Sequence, residues 1–293
     1  MPTRVVLGLD FGGTKIAVAV NDCDGERLGG ATVETPFHLG ARATLDRALR
    51  AAHDLLAASA PDGRVVAVGV STFGIPGDDG VALAPAVPGW ESIGLGKEIG
   101  VAFPGAEVRL ANDVKAAATA EAQWGALVGA NPGIYLNLGT GLAAAIVVDG
   151  AVLAGRHGAS GEIGYNLRTI DDVGRTGRIL LEDAVSGKAL SHAADAFERA
   201  ATDPETAALV EAFLAELSFH VVNLAIAVDP TRIVVGGGMV RSWQYIEGGL
   251  RRALDAAVPF PPELVRASFP YDAPLMGALA LGTDAAQQRN TST

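Results

Sequence analysis

Short apolar runs alternate with longer amphipathic stretches along most of the chain. The runs are six to eight residues long, are rich in Val, Leu, Ile, Ala and Gly, and predict β-strands. They lie at 4–10, 16–21, 64–70, 106–111, 133–139, 142–149 and 232–237. Helical spacing of apolar residues predicts helices at 41–59, 93–102, 114–128, 182–201, 205–228 and 241–257. Strands that alternate with helices indicate an α/β fold. The segments 4–10, 64–70 and 133–138 are apolar at nearly every position, which is typical of strands buried on both faces.

Two segments of the chain resemble each other. Residues 7–22 and 134–149 align without a gap, so that Asn137 stands where Asp10 stands, 127 residues later. In each copy an apolar strand ends at this short polar residue, a glycine turn follows, and a second apolar strand runs to an Asp. The repeat predicts two related lobes, with chance similarity of apolar hairpins as the alternative.

Composition limits the classes of partner. The chain has 293 residues, 49% of them hydrophobic, which is enough for two lobes with separate cores. Lys and Arg number 22 against 33 Asp and Glu, a net charge of −11 that disfavours nucleic acid as a partner. Cys23 is the single cysteine, so an intrachain disulfide and a four-cysteine zinc site are excluded. No leader pattern and no uninterrupted apolar run of about 18 residues occur, so we expect a cytoplasmic protein without a membrane partner.

Asn112 and Asp113 stand where a predicted strand meets the predicted helix 114–128. Asn and Asp are preferred N-cap residues, because their side-chain oxygens accept the N–H groups of the first helical turn. The local sequence therefore favours helix capping for this pair, unless a ligand site elsewhere in the chain calls for a carboxylate here.

Glycines cluster at the ends of three predicted strands, at Gly12–Gly13, Gly139–Gly141 and Gly236–Gly238. Glycine lets the backbone approach a ligand closely, and turns that direct several N–H groups at one point bind anions. Neither a P-loop nor a Rossmann fingerprint is present. Each cluster alone is also explained as a simple turn; together they predict a nucleotide site split between two lobes.

Five motifs in order resemble ROK-family sugar kinases, which are glucokinase-like members of the actin-like, ribonuclease-H-like ATPase superfamily. They are LGLDFGGTKIAVAV (7–20), LANDVKAAATAEAQWGA (110–126), YLNLGTGLAAAIVVDG (135–150), HGASGEIGY (157–165) and IVVGGGMV (233–240). The resemblance implies a two-lobed α/β fold with duplicated strand–glycine turn–strand units. It implies a smaller N-terminal lobe at 1–113, a larger lobe at 114–273, and a C-terminal helix near 274–293 that packs back on the first lobe.

The resemblance also implies roles for individual residues. Asp10 would organise Mg²⁺ through water, and ATP phosphates would lie along Gly12, Gly13, Thr14 and Lys15. A second phosphate loop would comprise Gly139, Thr140 and Gly141, and adenosine would face Gly236, Gly237 and Gly238. The sugar would contact Gly74, Asn112, Asp113, Glu162 and Glu182. Asp113 would act as general base, which reverses the local preference for a cap, although Asn112 can still serve as one.

Two positions depart from the family pattern. Most ROK kinases continue GEIGH into a cysteine cluster, and that histidine and three cysteines bind structural zinc. Here Tyr165 replaces the histidine and the segment 165–182 contains no cysteine, so we predict no structural zinc. Packing by Val173, Ile179 and Leu180 together with hydrogen bonds would hold the segment instead. Tyr165 either contacts the sugar or points away, and Ala86 stands where the family often has Asn, so the sugar stays open between a hexose and an aminohexose.

The expected function is therefore an ATP-dependent, Mg²⁺-requiring hexose or aminohexose kinase that phosphorylates O6 and forms a homodimer. A sugar-binding transcriptional regulator is one alternative, although such ROK proteins carry an N-terminal helix-turn-helix and here the first predicted strand begins by Arg4. A catalytically silent sugar-binding protein is another. Polyphosphate in place of ATP is a further option for the donor.

Overall fold

The computed structural model describes residues 3–190 and 195–291, which divide into two compact units. Unit 1 comprises Met1–Gln123, Ala154–Gly158 and Asp272–Thr293, and unit 2 comprises Trp124–Leu153 and Ala159–Tyr271. Each unit contains a five-stranded sheet with helices packed against it. The predicted α/β class is confirmed.

Unit 1 is built on a mixed sheet in the order β3-β2-β1-β4-β7. Strands β2 and β3 are antiparallel to their neighbours, whereas β1, β4 and β7 run parallel. The elements up to residue 124 are β1 (Arg4–Phe11), β2 (Lys15–Asp22), β3 (Arg27–Glu34), α1 (Gly40–Ser59), β4 (Arg64–Thr72), β5 (Ile75–Pro76), β6 (Val81–Ala82), α2 (Leu95–Ala102), β7 (Glu107–Asn112) and α3 (Asp113–Trp124).

Unit 2 repeats this topology, with the strand order β10-β9-β8-β11-β12. Again the first hairpin, β8–β9, is antiparallel and the next two strands lie parallel to β8 and β11. Its elements are β8 (Gly133–Leu138), β9 (Leu142–Val148), β10 (Ala151–Val152), α4 (Leu181–Ala184), α5 (Ala196–Arg199), α6 (Pro204–Val228), β11 (Arg232–Gly236), α7 (Trp243–Ala257) and β12 (Glu263–Arg266). The duplication therefore extends beyond the two aligned hairpins to all five strands of each sheet.

Helices cover the faces of each sheet. In unit 1, α1 contributes Leu45 and α2 contributes Ile99 to one core, and the C-terminal helix α8 (Ala273–Thr291) packs across β4, β1 and β7 with Leu279 fully buried. In unit 2, α6 and α7 pack on each other and bury Leu217 and Leu250 against the sheet. Residues 292 and 293 of the predicted C-terminal helix lie outside the described residues.

Helix α6 is, among the described residues, the one helix long and apolar enough to cross a membrane by length and composition. Its Phe213, Leu217 and Val221 are buried in the core of unit 2. Core helices pass the same test, because a helix that packs on a sheet needs a broad apolar face.

The helix predicted at 182–201 is wrong. Two four-residue helices, α4 and α5, occur in this range instead, and residues 191–194 lie outside the described residues. Helix α4 ends at Ala184, and three residues further on the Gly187 N–H donates to the Gly139 carbonyl at 2.7 Å. Gly187 therefore pairs with another loop rather than continuing a helix.

The segment 165–180, where the family's zinc ligands would stand, is tied to α6 by polar contacts. The Arg168 guanidinium forms two bonds with the Glu216 carboxylate, at 2.5 and 2.9 Å, and both side chains are about three-quarters buried. Asn166 Nδ2 lies 3.3 Å from Nδ1 of the buried His220, and burial lowers the pKa of this histidine. We name these two contacts the α6 clasp.

Packing by Val173 and Ile179 was the wrong expectation for this segment, since both residues are more than half exposed, whereas the third expected residue, Leu180, is partly buried. A short turn stabilises the middle of the segment, where the Asp172 carboxylate accepts the N–H groups of Arg168 and Thr169. The segment thus has the kind of hydrogen bonds that were predicted, without packing by Val173 and Ile179.

We expect Arg168→Met to lower the free energy of unfolding by about 1–2 kcal/mol, because the change leaves the partly buried Glu216 carboxylate without its bidentate partner. Chemical denaturation measures the effect. Arg199→Met is the matched control: Arg199 pairs with Asp203 at 3.3 Å on the exposed surface, and its loss should change stability by less than about 0.5 kcal/mol.

The same preparation tests the prediction that the segment holds no zinc. Elemental analysis should find no stoichiometric zinc, and a chelator should leave the unfolding midpoint unchanged. Bound zinc at one equivalent, or destabilisation by the chelator, would show that the clasp is not what holds this segment.

Candidate active site

Strand register brings polar residues of unit 1 to one edge of its sheet. Asp10 at the end of β1 pairs with Ser71 of β4, and Thr72 of β4 pairs with Asn112 of β7. Because β1, β4 and β7 are parallel, these residues all lie at carboxyl ends, the edge at which α/β sheets bind ligands. Asp113 follows directly as the first residue of α3.

The Asp10 carboxyl at this edge has a strongly raised pKa. Burial raises its pKa from 3.8 to about 7. The Ser71 hydroxyl lowers this pKa by hydrogen bonding, the negative charge of Asp113 raises it, and the Lys15 ammonium lowers it. Asp113 and Lys15 therefore both lie within electrostatic reach of Asp10, so unit 1 brings three of the predicted site residues together.

Two neighbouring residues at the start of α3, Asn112 and Asp113, make different contacts. Asn112 Oδ1 accepts the Lys115 N–H at 2.8 Å, which is the helix cap. Asp113 Oδ1 accepts the N–H of the next residue, Val114, at 2.9 Å. The capping interpretation is thus satisfied by Asn112, whose predicted sugar contact remains a prediction.

The first glycine turn is short, and a hydrogen bond from Thr35, a residue that sequence reasoning missed, stabilises it. Gly12 N–H donates to the Lys15 carbonyl at 3.0 Å, and Thr35 Oγ1 donates to the Gly12 carbonyl at 2.7 Å. Gly13, Thr14 and Lys15 are exposed. A side chain at Gly13 would meet no atom within 4 Å, so nothing inside the unit requires glycine there and room for a ligand remains.

Gly74 lies in the turn that follows β4, with φ +76°. A Cβ there would stand 2.6 Å from the Ala82 carbonyl oxygen, so the turn itself requires glycine. Beside it Phe73 packs on the buried Trp90, whose Nε1 donates to Thr72 Oγ1 at 3.0 Å. The predicted place of Gly74 in a sugar pocket remains a prediction.

In unit 2 the second glycine turn and the glycine-rich segment after β11 share one cavity of about 710 Å³. The turn closes with a 3.1 Å bond from Gly139 N–H to the Gly141 carbonyl, and Lys188 N–H donates to the Thr140 carbonyl at 3.3 Å. The cavity is lined by Gly139, Thr140, Gly187, Lys188, Leu190, Asp195, Ala196, Phe197, Glu198, Gly238, Met239, Arg241 and Ser242. A volume of this size accommodates a small-molecule ligand.

Sequence reasoning missed Lys188, Phe197 and Arg241 at this cavity. Lys188 follows the Ser186–Gly187 break, which lay inside the wrongly predicted helix. Phe197 lies in α5, which was part of the same wrong helix. Arg241 follows the glycine-rich segment directly, and its position there was the only available signal.

Glu162, Tyr165 and Glu182 form a cluster in unit 2. Burial raises the pKa of the Tyr165 phenol, and the charges of Glu182 and Glu162 raise it further. Glu182 Oε2 lies 2.8 Å from the position that a Cβ at Gly141 would occupy. The Glu182 Cβ lies 3.2 Å from the position that a Cβ at Gly164 would occupy. The two glycines thus make room for Glu182, which the sequence motif alone did not show.

The donor set suits magnesium and not zinc. Mg²⁺ prefers oxygen ligands and is usually held by one or two carboxylates together with substrate phosphates. Asp10 offers such a carboxylate, and the described residues contain no group of three or more His, Cys, Asp or Glu side chains that could hold a metal by themselves. Structural zinc would need thiolates or imidazoles, which the segment 165–182 lacks.

Comparison with known proteins gives relatives that match nearly the whole of this chain. The chain is 30% identical over 303 residues to the kanosamine kinase of Amycolatopsis mediterranei, covering 96% of this chain and 94% of that one. It is 30% identical over 297 residues to the bifunctional enzyme NanE/NanK of Brucella melitensis, where the match covers 96% of this chain and 54% of the relative. The chain therefore spans about half the length of that bifunctional relative.

Among solved structures, a ROK family glucokinase from Streptomyces griseus in complex with glucose and AMPPNP superposes with a TM-score of 0.74. It is 25% identical, and the match covers 96% of this chain and 99% of that one. The two units thus form the actin-like ATPase fold that the repeat and the motifs predicted. The ROK family model matches residues 6–285. With nearly its whole length in that match, the chain belongs to the ROK family.

Proposed function

We propose that the protein is an ATP-dependent sugar kinase that transfers the γ-phosphoryl group to O6 of a hexose or aminohexose. The observation that carries the proposal is the pairing of two carboxylates, Asp10 and Asp113, at the carboxyl edge of the unit 1 sheet. The kinase names of the ROK relatives support it, since kanosamine kinase and the glucose-bound glucokinase both act on or bind sugars.

Asp113 acts as the general base in this proposal. The attacking hydroxyl oxygen forms a bond to the γ-phosphorus, the bond from that phosphorus to the β–γ bridging oxygen breaks, and ADP leaves. The hydroxyl proton passes to the Asp113 carboxylate. The residue lies at the first position of the twelve-residue helix α3, where the helix dipole favours a negative charge. Because Asn112 already caps the helix, Asp113 is not needed for that purpose.

The remaining residues of unit 1 hold the cofactor in this proposal. Asp10 would hold Mg²⁺, through water as the family pattern implies, and Gly12, Gly13, Thr14 and Lys15 would lie along the phosphates. When bound, Mg²⁺ neutralises charge that develops on the transferring phosphoryl group. The raised pKa of Asp10 fits this assignment, since a buried carboxylate gains most from a nearby cation.

Unit 2 supplies the nucleotide cavity and the sugar contacts. ATP phosphates face Gly139, Thr140 and Gly141, and adenosine faces Gly236, Gly237 and Gly238 beside the 710 Å³ cavity. Glu162 and Glu182 accept hydrogen bonds from sugar hydroxyls. The Tyr165 phenol, held near both carboxylates, takes the place of the family's histidine toward the sugar. A carboxylate pair of this kind also accepts an ammonium group, which favours aminohexoses among the candidate substrates.

Replacement of Asp113 by Asn tests the base. The change keeps size and polarity but removes the proton acceptor, so we expect kcat to fall by about 10²–10⁴-fold while the Kd of the sugar changes little. A coupled assay and calorimetric sugar titration measure the two quantities.

Asp203→Asn is the matched control for this change. Asp203 caps α6 by accepting the Glu205 N–H. Since Asn is an equally good N-cap, the replacement should leave both the fold and kcat nearly unchanged. Should Asp113→Asn likewise retain turnover, the base assignment is wrong and Asp113 serves only at the start of the helix.

Replacement of Tyr165 by Phe tests the sugar contact. We expect kcat/KM for the best sugar of a panel of hexoses and aminohexoses to fall about tenfold, because a hydroxyl of the sugar loses its partner. The KM for ATP should stay the same. Tyr245→Phe serves as control, since Tyr245 stacks on Phe197 and lies outside the acidic cluster. Equal kcat/KM values across the panel for wild type and Tyr165→Phe would mean that the phenol points away from the sugar.

A further inference from the structure

A second, smaller cavity of about 270 Å³ lies in unit 2 beside the glycine-rich segment. It is lined by Gly237, Gly238, Val240, Arg241, Arg266, Pro270 and Tyr271. Two of these side chains are arginines, and none of the described residues that line the cavity is acidic. In a chain with a net charge of −11, a pocket with two positive charges and no negative one is a distinct electrostatic environment.

Parallel strands bring the two arginines to the same edge. Arg266 is the last residue of β12 and pairs with Val235 of β11. After β11 the chain passes through Gly237 into the short 3₁₀ helix Gly238–Ser242, which carries Arg241. Both guanidinium groups therefore lie at the carboxyl end of the unit 2 sheet, the edge at which α/β sheets bind ligands.

Within the described part of the chain, neither arginine forms an ion pair. By contrast, an ion pair with a carboxylate is formed by each of Arg42, Arg168, Arg232 and Arg251. Arg241 instead lies over the Tyr271 ring, 5.8 Å from its centroid, a cation–π contact that fixes the plane of the guanidinium. Its N–H edges then remain available to an acceptor. Both arginines are exposed, so their guanidinium groups are open to an anion from solvent.

Two glycines of the pocket, Gly237 and Gly238, leave part of its backbone without side chains. Gly237 has φ +86°, and a Cβ there would stand 2.5 Å from the Leu138 carbonyl, so the fold itself requires this glycine. A Cβ at Gly238 would meet no atom within 4 Å, and Gly238 does not have a positive φ. Nothing inside the unit requires a glycine at 238. The missing side chain leaves space at the border of both cavities, as expected where a ligand approaches the backbone.

We propose that this cavity binds a phosphate group distinct from those of the nucleotide, either inorganic phosphate or the phosphate of a small phosphomonoester. Arginine matches the geometry of phosphate oxygens with paired N–H donors, and the absence of acidic residues removes competition for them. We call this pocket the Arg241–Arg266 site. Gly238 and Arg241 also line the 710 Å³ cavity, and Gly237 and Gly238 are the residues proposed to face adenosine. The site therefore adjoins the nucleoside end of the proposed nucleotide site and not its phosphate loop at Gly139–Gly141.

Calorimetric titration of the intact protein at low salt tests the proposal. Inorganic phosphate and glycerol 3-phosphate are the two probes, each added with and without saturating ADP. We expect at least one probe to bind with a Kd in the millimolar range or tighter, in the presence and in the absence of ADP. We expect Arg266→Gln to weaken that binding about tenfold or more, because it removes a bidentate charged contact. The probe that binds more tightly identifies the source of the phosphate.

Arg252→Gln is the matched control, because Arg252 is exposed on α7 and lines neither cavity. It should bind both probes as wild type does. Arg266→Lys keeps the charge without the paired donors, and should bind with intermediate affinity. Thermal unfolding of each variant establishes that it is folded.

Three results would overturn the proposal: no binding of either probe below about 10 mM, wild-type affinity in Arg266→Gln, or displacement of the probe by ADP. The last would place the phosphate in the nucleotide site. None of these results bears on sugar phosphorylation, which is measured separately as turnover of the same wild-type preparation with ATP.

Discussion

The proposed chemistry depends on one electrostatic constraint: two carboxylates, Asp10 and Asp113, lie near each other at a largely buried sheet edge. Burial raises the pKa of Asp10 to about 7, and the charge of Asp113 adds to the rise. Positive charge from Lys15 offsets this repulsion, and in the proposed function a metal bound with ATP would offset it further. The backbone sets the distance between the two acids, since β1, β4 and β7 are parallel and in fixed register. Because its two carboxylates repel each other, this edge is well suited to bind a cation together with a polyanion.

The two sheets share one topology but differ in the residues around their glycine turns. Both have the same order of strands, and both place a short polar residue at the end of the first strand, Asp10 in unit 1 and Asn137 in unit 2. The carboxylate of the first suits a metal and the neutral amide of the second does not. Unit 2 instead surrounds its glycine turn with the 710 Å³ cavity and positions the acidic cluster of Glu162 and Glu182. In the proposed function the duplicated scaffold therefore carries the metal site and the general base in unit 1 and the nucleoside contacts in unit 2, while each unit contributes one glycine turn to the phosphates.

Continuous apolar runs made the central strands predictable, as in β1, β4 and β8, because strands buried on both faces carry the strongest signal. Strand β3 was missed, since RLGGATVE carries two glycines and alternates in exposure at the edge of the sheet. The wrong helix at 182–201 had suitable composition, but the contact between Gly187 and Gly139 ends it, and such a pairing over some fifty residues leaves no local pattern. The family resemblance, rather than periodicity, supplied the candidate site residues. Contacts that arise only on folding, such as Thr35 at the first glycine turn and Arg266 beside Arg241, had no signal in the sequence.

The most direct test of the central claim is a carbon-13 NMR titration of the Asp10 carboxyl in the metal-free protein and in Asp113→Asn. Because burial and the Asp113 charge both disfavour ionisation, Asp10 should keep its proton until about pH 7 in the wild type. Its midpoint should move to lower pH in the variant and stay above 3.8, since burial persists when the neighbouring charge is lost. A wild-type midpoint near 4, or one that Asp113→Asn leaves in place, would contradict the account, because the two carboxylates would then not share an edge.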